Sequence, residues 1–124
     1  MEYGLFTQEE ANRVALEFGF EEFDRLNESV ITALHAVESP QRKERLMATL
    51  DEIAILETKI TELLQKGFIE QVDTVRLGYI RGANRLMSEA SRKLHWAARI
   101  ANLEVKYDRF KENSGRSHSV LTYY

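Results

Sequence analysis

The chain has 124 residues, 44% of them hydrophobic and 30% charged, with one proline and six glycines, a composition that favours one globular domain of long helices over disorder. It has no cysteine, which excludes disulfides, thiolate metal sites and a cysteine nucleophile and points to a reducing compartment. The net charge of −3 hides a division, because residues 1–75 carry 7 Lys+Arg against 16 Asp+Glu, net −9, and residues 76–124 carry 10 against 4, net +6.

Neither a charged start followed by an apolar run nor a stretch of membrane-spanning length occurs, so neither secretion through a signal peptide nor a membrane partner is expected. The expected location is cytoplasmic or virion-associated.

In chain order, Thr7-Gln8-Glu9-Glu10 is a capping-box pattern, in which the Thr7 hydroxyl and the Glu10 carboxylate each serve the other's backbone amide, so a helix is predicted to start there. Ala11, Val14, Ala15 and Phe18 follow at helical spacing. Phe18-Gly19-Phe20 then offers a break before Phe23, Leu26, Val30, Ala33, Leu34 and Val37 resume the period, leaving one kinked helix or two. Ser39-Pro40 marks a firm boundary, with Ser39 as N-cap and Pro40 at the first helical position, where a missing N–H costs nothing. Leu46, Leu50, Ile53, Ile60 and Leu64, widened by Leu56 and Leu63, form the next apolar stripe. Gly67 reads as the residue just past that helix's end.

From about Phe68 to Asn113 the helical period runs on without proline, predicting a helix of roughly 60 Å or more, with Gly78 and Gly82 as weak points. Projection at helical pitch gives three stripes. Tyr79, Ile80, Ala83, Leu86, Met87, Ala90, Leu94, Ala97, Ala98, Ala101 and Val105 form a core stripe whose alanines admit a close neighbour. Almost opposite lie Arg81, Arg85, Arg92, Arg99 and Lys106, joined by Ser88, His95, Asn102 and Arg109, with no acid among them. Like charges on one face repel, so an external acidic surface is expected to balance them. Beside them Trp96, Leu103 and Phe110, seven apart, read as an apolar docking strip.

Three sources for the balancing charge follow. The chain's own acidic segment (Glu9, Glu10, Glu17, Glu21, Glu22, Asp24, Glu28) folds back on the basic face; identical subunits pair acidic to basic parts; or a nucleic-acid backbone supplies the charge, against which the acidic half argues. The segment Ser114 to Tyr124 has no helical period, and Val120, Leu121, Tyr123 and Tyr124 suit an extended tail that adds to a neighbour's sheet or groove.

Signatures of catalysis are missing. His35, His95 and His118 fall in separate elements outside any metal-ligand spacing, no glycine-rich phosphate loop or nucleophile elbow occurs, and no cofactor is implied. Glu57, which interrupts an apolar stripe, reads as half of a structural pair with an arginine. The sequence thus predicts an all-α protein, an antiparallel bundle of three to four helices over residues 1–113 with one long C-terminal helix, and an extended C-terminal tail over 114–124. Its expected role is a non-enzymatic structural or adaptor subunit that oligomerises, comparable only in general style to the small helical connector proteins of phage particles. The alternatives are a small nucleic-acid-binding subunit that places the basic face on phosphates, and a helical chaperone or inhibitor that masks an acidic protein surface.

Overall fold

In a computed structural model of the chain, residues 3–20 and 28–111 are described. Among them the protein is all-α: α1 is Gln8–Glu17, α2 Glu28–Ala36, α3 Pro40–Ile69 and α4 Asp73–Ile100, and no strand occurs. Among the described residues no helix is long and apolar enough to cross a membrane. The chain divides into two compact units, the first formed by Met1–Asp51 with Lys93–Asp108 and the second by Glu52–Arg92 with Arg109–Tyr124.

In the first unit, α1 begins as its sequence dictates. Thr7 Oγ1 accepts from the Glu10 amide at 3.2 Å and Glu10 Oε1 accepts from the Thr7 amide at 2.9 Å, which satisfies two of the first-turn groups that no helical carbonyl can reach. The helix stops at Phe18-Gly19. Gly19 has φ +86°, the Phe20 amide donates to the Ala15 carbonyl at 2.8 Å and the Gly19 amide to that of Leu16 at 3.2 Å, a Schellman ending that favours glycine at the left-handed position. Hence α1 and α2 are separate helices. Ala11, Val14, Ala15, Phe18, Val30, Leu34, Val37, Leu46 and Leu50 are all buried, and a fully buried aliphatic or aromatic side chain of this kind contributes roughly 1.5–3 kcal/mol.

The first turn of α3 uses Ser39, whose Oγ accepts from the Arg42 amide at 3.4 Å. The last turn of α4 is reached in the same unit, and here the structure departs from the sequence reading. The long helix ends at Ile100, because Asn102 takes φ +61° while the Leu103 amide donates to the Ala98 carbonyl at 2.9 Å and the Asn102 amide to that of Arg99 at 3.2 Å. This is a second Schellman ending with asparagine in glycine's place. The chain then runs back along α1, where the Lys106 and Tyr107 amides donate to the Phe18 carbonyl at 2.9 and 3.3 Å.

In the second unit the end of α3 and the start of α4 form a helical hairpin. Gly67 is not past the helix end: α3 continues to Ile69, and Gly67 is buried where Tyr79 and Ile80 approach it. Leu63 lies beside Gly82 in the same antiparallel sense. The turn is tied by Glu70, whose Oε1 accepts from the Gln71 and Val72 amides at 3.0 Å each and whose carbonyl accepts from Arg76 Nε at 2.9 Å. A cation at the C-terminal carbonyls of α3 also suits the helix dipole. Ile53, Leu56, Ile60, Ala83, Met87 and Ala90 are buried in this unit, as is Phe110. Arg109 grips Glu57 with both forks, Nε to Oε2 at 2.9 Å and the second nitrogen to Oε1 at 3.2 Å, which gives Glu57 the arginine partner its place in the stripe implied.

Candidate functional site

In the first unit an open cleft of about 470 Å³ lies where α3 starts and α4 ends. Ser39, Gln41, Arg42 and Arg45 line it from α3, and Trp96, Arg99 and Ile100 from α4. Three guanidinium groups and an indole share this wall, and no acidic side chain does. The three arginines differ in what the fold asks of them. Arg42 is committed: its Nε donates to the Ile100 carbonyl at 2.7 Å, and its terminal nitrogen donates to the Arg99 carbonyl at 3.3 Å and to Asn102 Oδ1 at 2.8 Å. It therefore closes the C-terminus of α4, where free carbonyls and the negative end of the dipole attract a cation.

Arg45 and Arg99 are exposed, and no hydrogen bond or ion pair reaches either side chain among the described residues. Trp96 is 51% exposed beside them. Basic residues in the first turn of α3, Arg42 and Lys43, oppose the helix dipole, and that turn has no acid, so each needs another reason to be there. Lys43 has one: its ammonium lies 2.9 Å from Glu10 Oε1 and 2.9 Å from the Leu5 carbonyl. The hydrogen bond from Lys43, then that from the Thr7 amide, holds the Glu10 carboxyl below the ordinary carboxylate range. Arg45, in the next turn, has no side-chain partner among the described residues.

The predicted partner-binding residues separate accordingly. Arg81, Arg85, Arg92 and Arg99 are exposed on α4, and no side-chain partner reaches them among the described residues. Lys106, expected to extend that line, lies past the helix end, with its ammonium 5.6 Å from the Phe20 ring centre. The strip of Trp96, Leu103 and Phe110 does not form as a helical stripe. Leu103 sits half-buried after the Asn102 turn, and Phe110 is buried at 3% exposure with the Arg109 guanidinium 4.3 Å above its ring. Only Trp96 of the three stands on α4. Val120, Leu121, Tyr123 and Tyr124 lie outside the described residues.

Of the acidic segment, Glu10 pairs with Lys43 of α3, and Glu21, Glu22 and Asp24 lie outside the described residues; Arg13 of α1 also pairs with α3, at Asp51, at 2.8 Å. His95 meets Asp108 at 3.0 Å. Among the described residues no group of three or more His, Asp or Glu side chains is placed to hold a metal ion.

No protein-family model, curated protein or solved structure matches this chain. The functional reading therefore rests on the chain's own surfaces.

The second of these surfaces, in the other unit, is apolar. Around the α3–α4 turn Phe68 is 89% exposed, Ile69 76%, Val72 55% and Val75 42%. Sequence reasoning passed over this group because it assigned Gly67 to a helix end and took Phe68 onward as one more helical face. The signal was there to be read, since Phe68-Ile69 lies outside the apolar stripes of both helices it joins.

Proposed function

We propose that the protein is a non-enzymatic structural or adaptor subunit that associates with further copies of itself within a larger assembly. The observation that carries this reading is the exposure of Phe68 and Ile69, with Val72 and Val75, at the α3–α4 turn of the second unit. A helical hairpin needs none of these side chains to be apolar. Leaving them in water forgoes the roughly 1.5–3 kcal/mol that burial of each large side chain contributes, and clustered exposed apolar groups mark association surfaces. A second copy suits the adjoining charges. Within this unit Glu62 is exposed on α3 while Arg81, Arg85 and Arg92 are exposed on α4, so one copy offers both signs for its neighbour to match. In this reading the helices make an antiparallel bundle, and the C-terminal tail, with Val120, Leu121, Tyr123 and Tyr124, reaches a groove of the adjoining subunit. A virion or another multi-subunit particle is a setting of that kind.

Size-exclusion chromatography with light scattering at low and high salt tests the proposal. A mass above 14.4 kDa is expected for the wild type, falling to the monomer in Phe68→Ser/Ile69→Ser while helicity is retained. A wild-type protein that stays monomeric at the highest concentration it tolerates refutes it. One observation favours a second reading, a nucleic-acid-binding subunit: the unmatched arginines of α4. An absorbance ratio showing copurified nucleic acid, lost at high salt, would support that reading instead.

A further inference from the structure

We propose that the cleft of the first unit is a nucleotide seat, in which a base stacks on Trp96 while Arg45 and Arg99 hold the phosphate. The proposal does not depend on self-association, since the cleft belongs to one unit and the exposed apolar turn to the other.

Four observations converge on this ligand. The cleft, at about 470 Å³, falls within the roughly 300–1,000 Å³ of small-molecule sites. Its charged lining is wholly cationic, and a guanidinium presents paired donors that match phosphate oxygens. Of its three arginines, Arg42 is spent on the end of α4, whereas the side chains of Arg45 and Arg99 have no hydrogen-bonding or ionic partner among the described residues and line the same opening from different helices. Trp96, half exposed beside them, offers a flat apolar face on which any base can stack.

The lining also distinguishes a nucleotide from other phosphorylated rings. Gln41 is exposed on the cleft wall, and its amide carries both a donor and an acceptor, the complement of a base edge. The ring carbons of a phosphotyrosine offer neither. Inorganic phosphate alone would leave Trp96 and Ile100 without a role. Arg42 contributes positive potential and fixes the cleft wall, because its hydrogen bonds hold the last turn of α4 against the first turn of α3.

Trp96 is the chain's sole tryptophan, so its emission reports on this site alone. The full chain is titrated with uridine monophosphate, a short thymidine oligonucleotide, inorganic phosphate and a phosphotyrosine peptide, following Trp96 fluorescence and, in parallel, heat by calorimetry. Saturable quenching by the nucleotide or the oligonucleotide is expected. Arg45→Ala and Arg99→Ala should each weaken binding at least about tenfold, the loss expected for one charge-assisted contact. Read by calorimetry, Trp96→Ala should weaken it about tenfold and Trp96→Phe much less. These three residues are exposed, so the variants should melt as the wild type does. Equal affinity for mononucleotide and strand assigns the site to free nucleotides; tighter, steeply salt-dependent binding of the strand assigns it to single-stranded nucleic acid. The proposal is overturned by no saturable response to either, by unchanged affinity in both arginine variants, by phosphate binding as tightly as the nucleotide, or by tighter binding of the phosphotyrosine peptide.

Discussion

Gly19→Ala should be among the most damaging small changes this chain can suffer, and the structure allows its cost to be built from parts. Gly19 sits at φ +86°, a left-handed conformation that costs an alanine about 1–2 kcal/mol. The new methyl would also lie 2.6 Å from Tyr107 Cβ and 2.8 Å from the Tyr107 amide nitrogen. Neither atom is the free end of a flexible side chain, so relief requires the 103–108 segment to move off α1. That movement stretches the two hydrogen bonds which the Lys106 and Tyr107 amides give to the Phe18 carbonyl, each worth about 0.5–1.5 kcal/mol. The total is about 3 kcal/mol, which for a chain of this size lowers the thermal midpoint by about 10 °C. Urea denaturation followed by circular dichroism measures it directly. A variant within about 0.5 kcal/mol of the wild type would refute both the Schellman ending of α1 and the close approach of the returning chain.

Two further changes probe the same unit. Arg42→Ala removes a charged donor from two carbonyls and from Asn102 Oδ1 and should cost about 2 kcal/mol; Arg42→Lys should recover less than half of this in urea midpoints, because a single ammonium cannot span the three acceptors as a planar fork does. Glu10 holds its proton less tightly in the folded protein than in the unfolded chain, chiefly through its bond from Lys43. Its stabilising effect is therefore complete at neutral pH, above the unfolded pKa, and is lost as the pH falls through the lowered folded value. Glu10→Gln keeps the capping geometry without the charge, so wild type and variant should differ at pH 7 and converge on acidification. A constant difference across that range would mean the Lys43 contact does not depend on charge.

Much of the helical plan was legible because its signals are local. The Thr7 capping box, the Ser39-Pro40 boundary and the glycine break at Gly19 each depend on residues within one or two turns, and the buried faces of α1 and α3 follow from spacing. The end of α4 was not legible in the same way. Asn102 supplies a left-handed stop where glycine is the usual signal, and Arg42, 60 residues earlier, secures it. Gly67 shows the opposite error, a residue that resembles a stop yet lies inside α3 because Tyr79 and Ile80 pack against it. The cleft escaped for a related reason. Arg45 and Arg99 belong to different helices, and only the meeting of the first two turns of α3 with the last of α4 brings them to one cleft.

The basic residues of α3, α4 and the segment after α4 fall into two populations that the structure separates. Arg42, Arg76 and Arg109, with Lys43, are taken up by helix-end carbonyls or by carboxylates, and a charge-assisted contact of this kind contributes about 1.5–3 kcal/mol where it is partly shielded from water. Their sign is explained by the fold alone. Arg45, Arg81, Arg85, Arg92 and Arg99 have no such contact among the described residues; an exposed cation without one contributes close to nothing to stability and, placed near others of its sign, opposes it. Stability therefore accounts for the first group and leaves the second without a cause inside the described chain. Because the second group is exposed, its members can be neutralised one at a time without disturbing the fold, which makes them the residues at which binding and folding are separable by measurement.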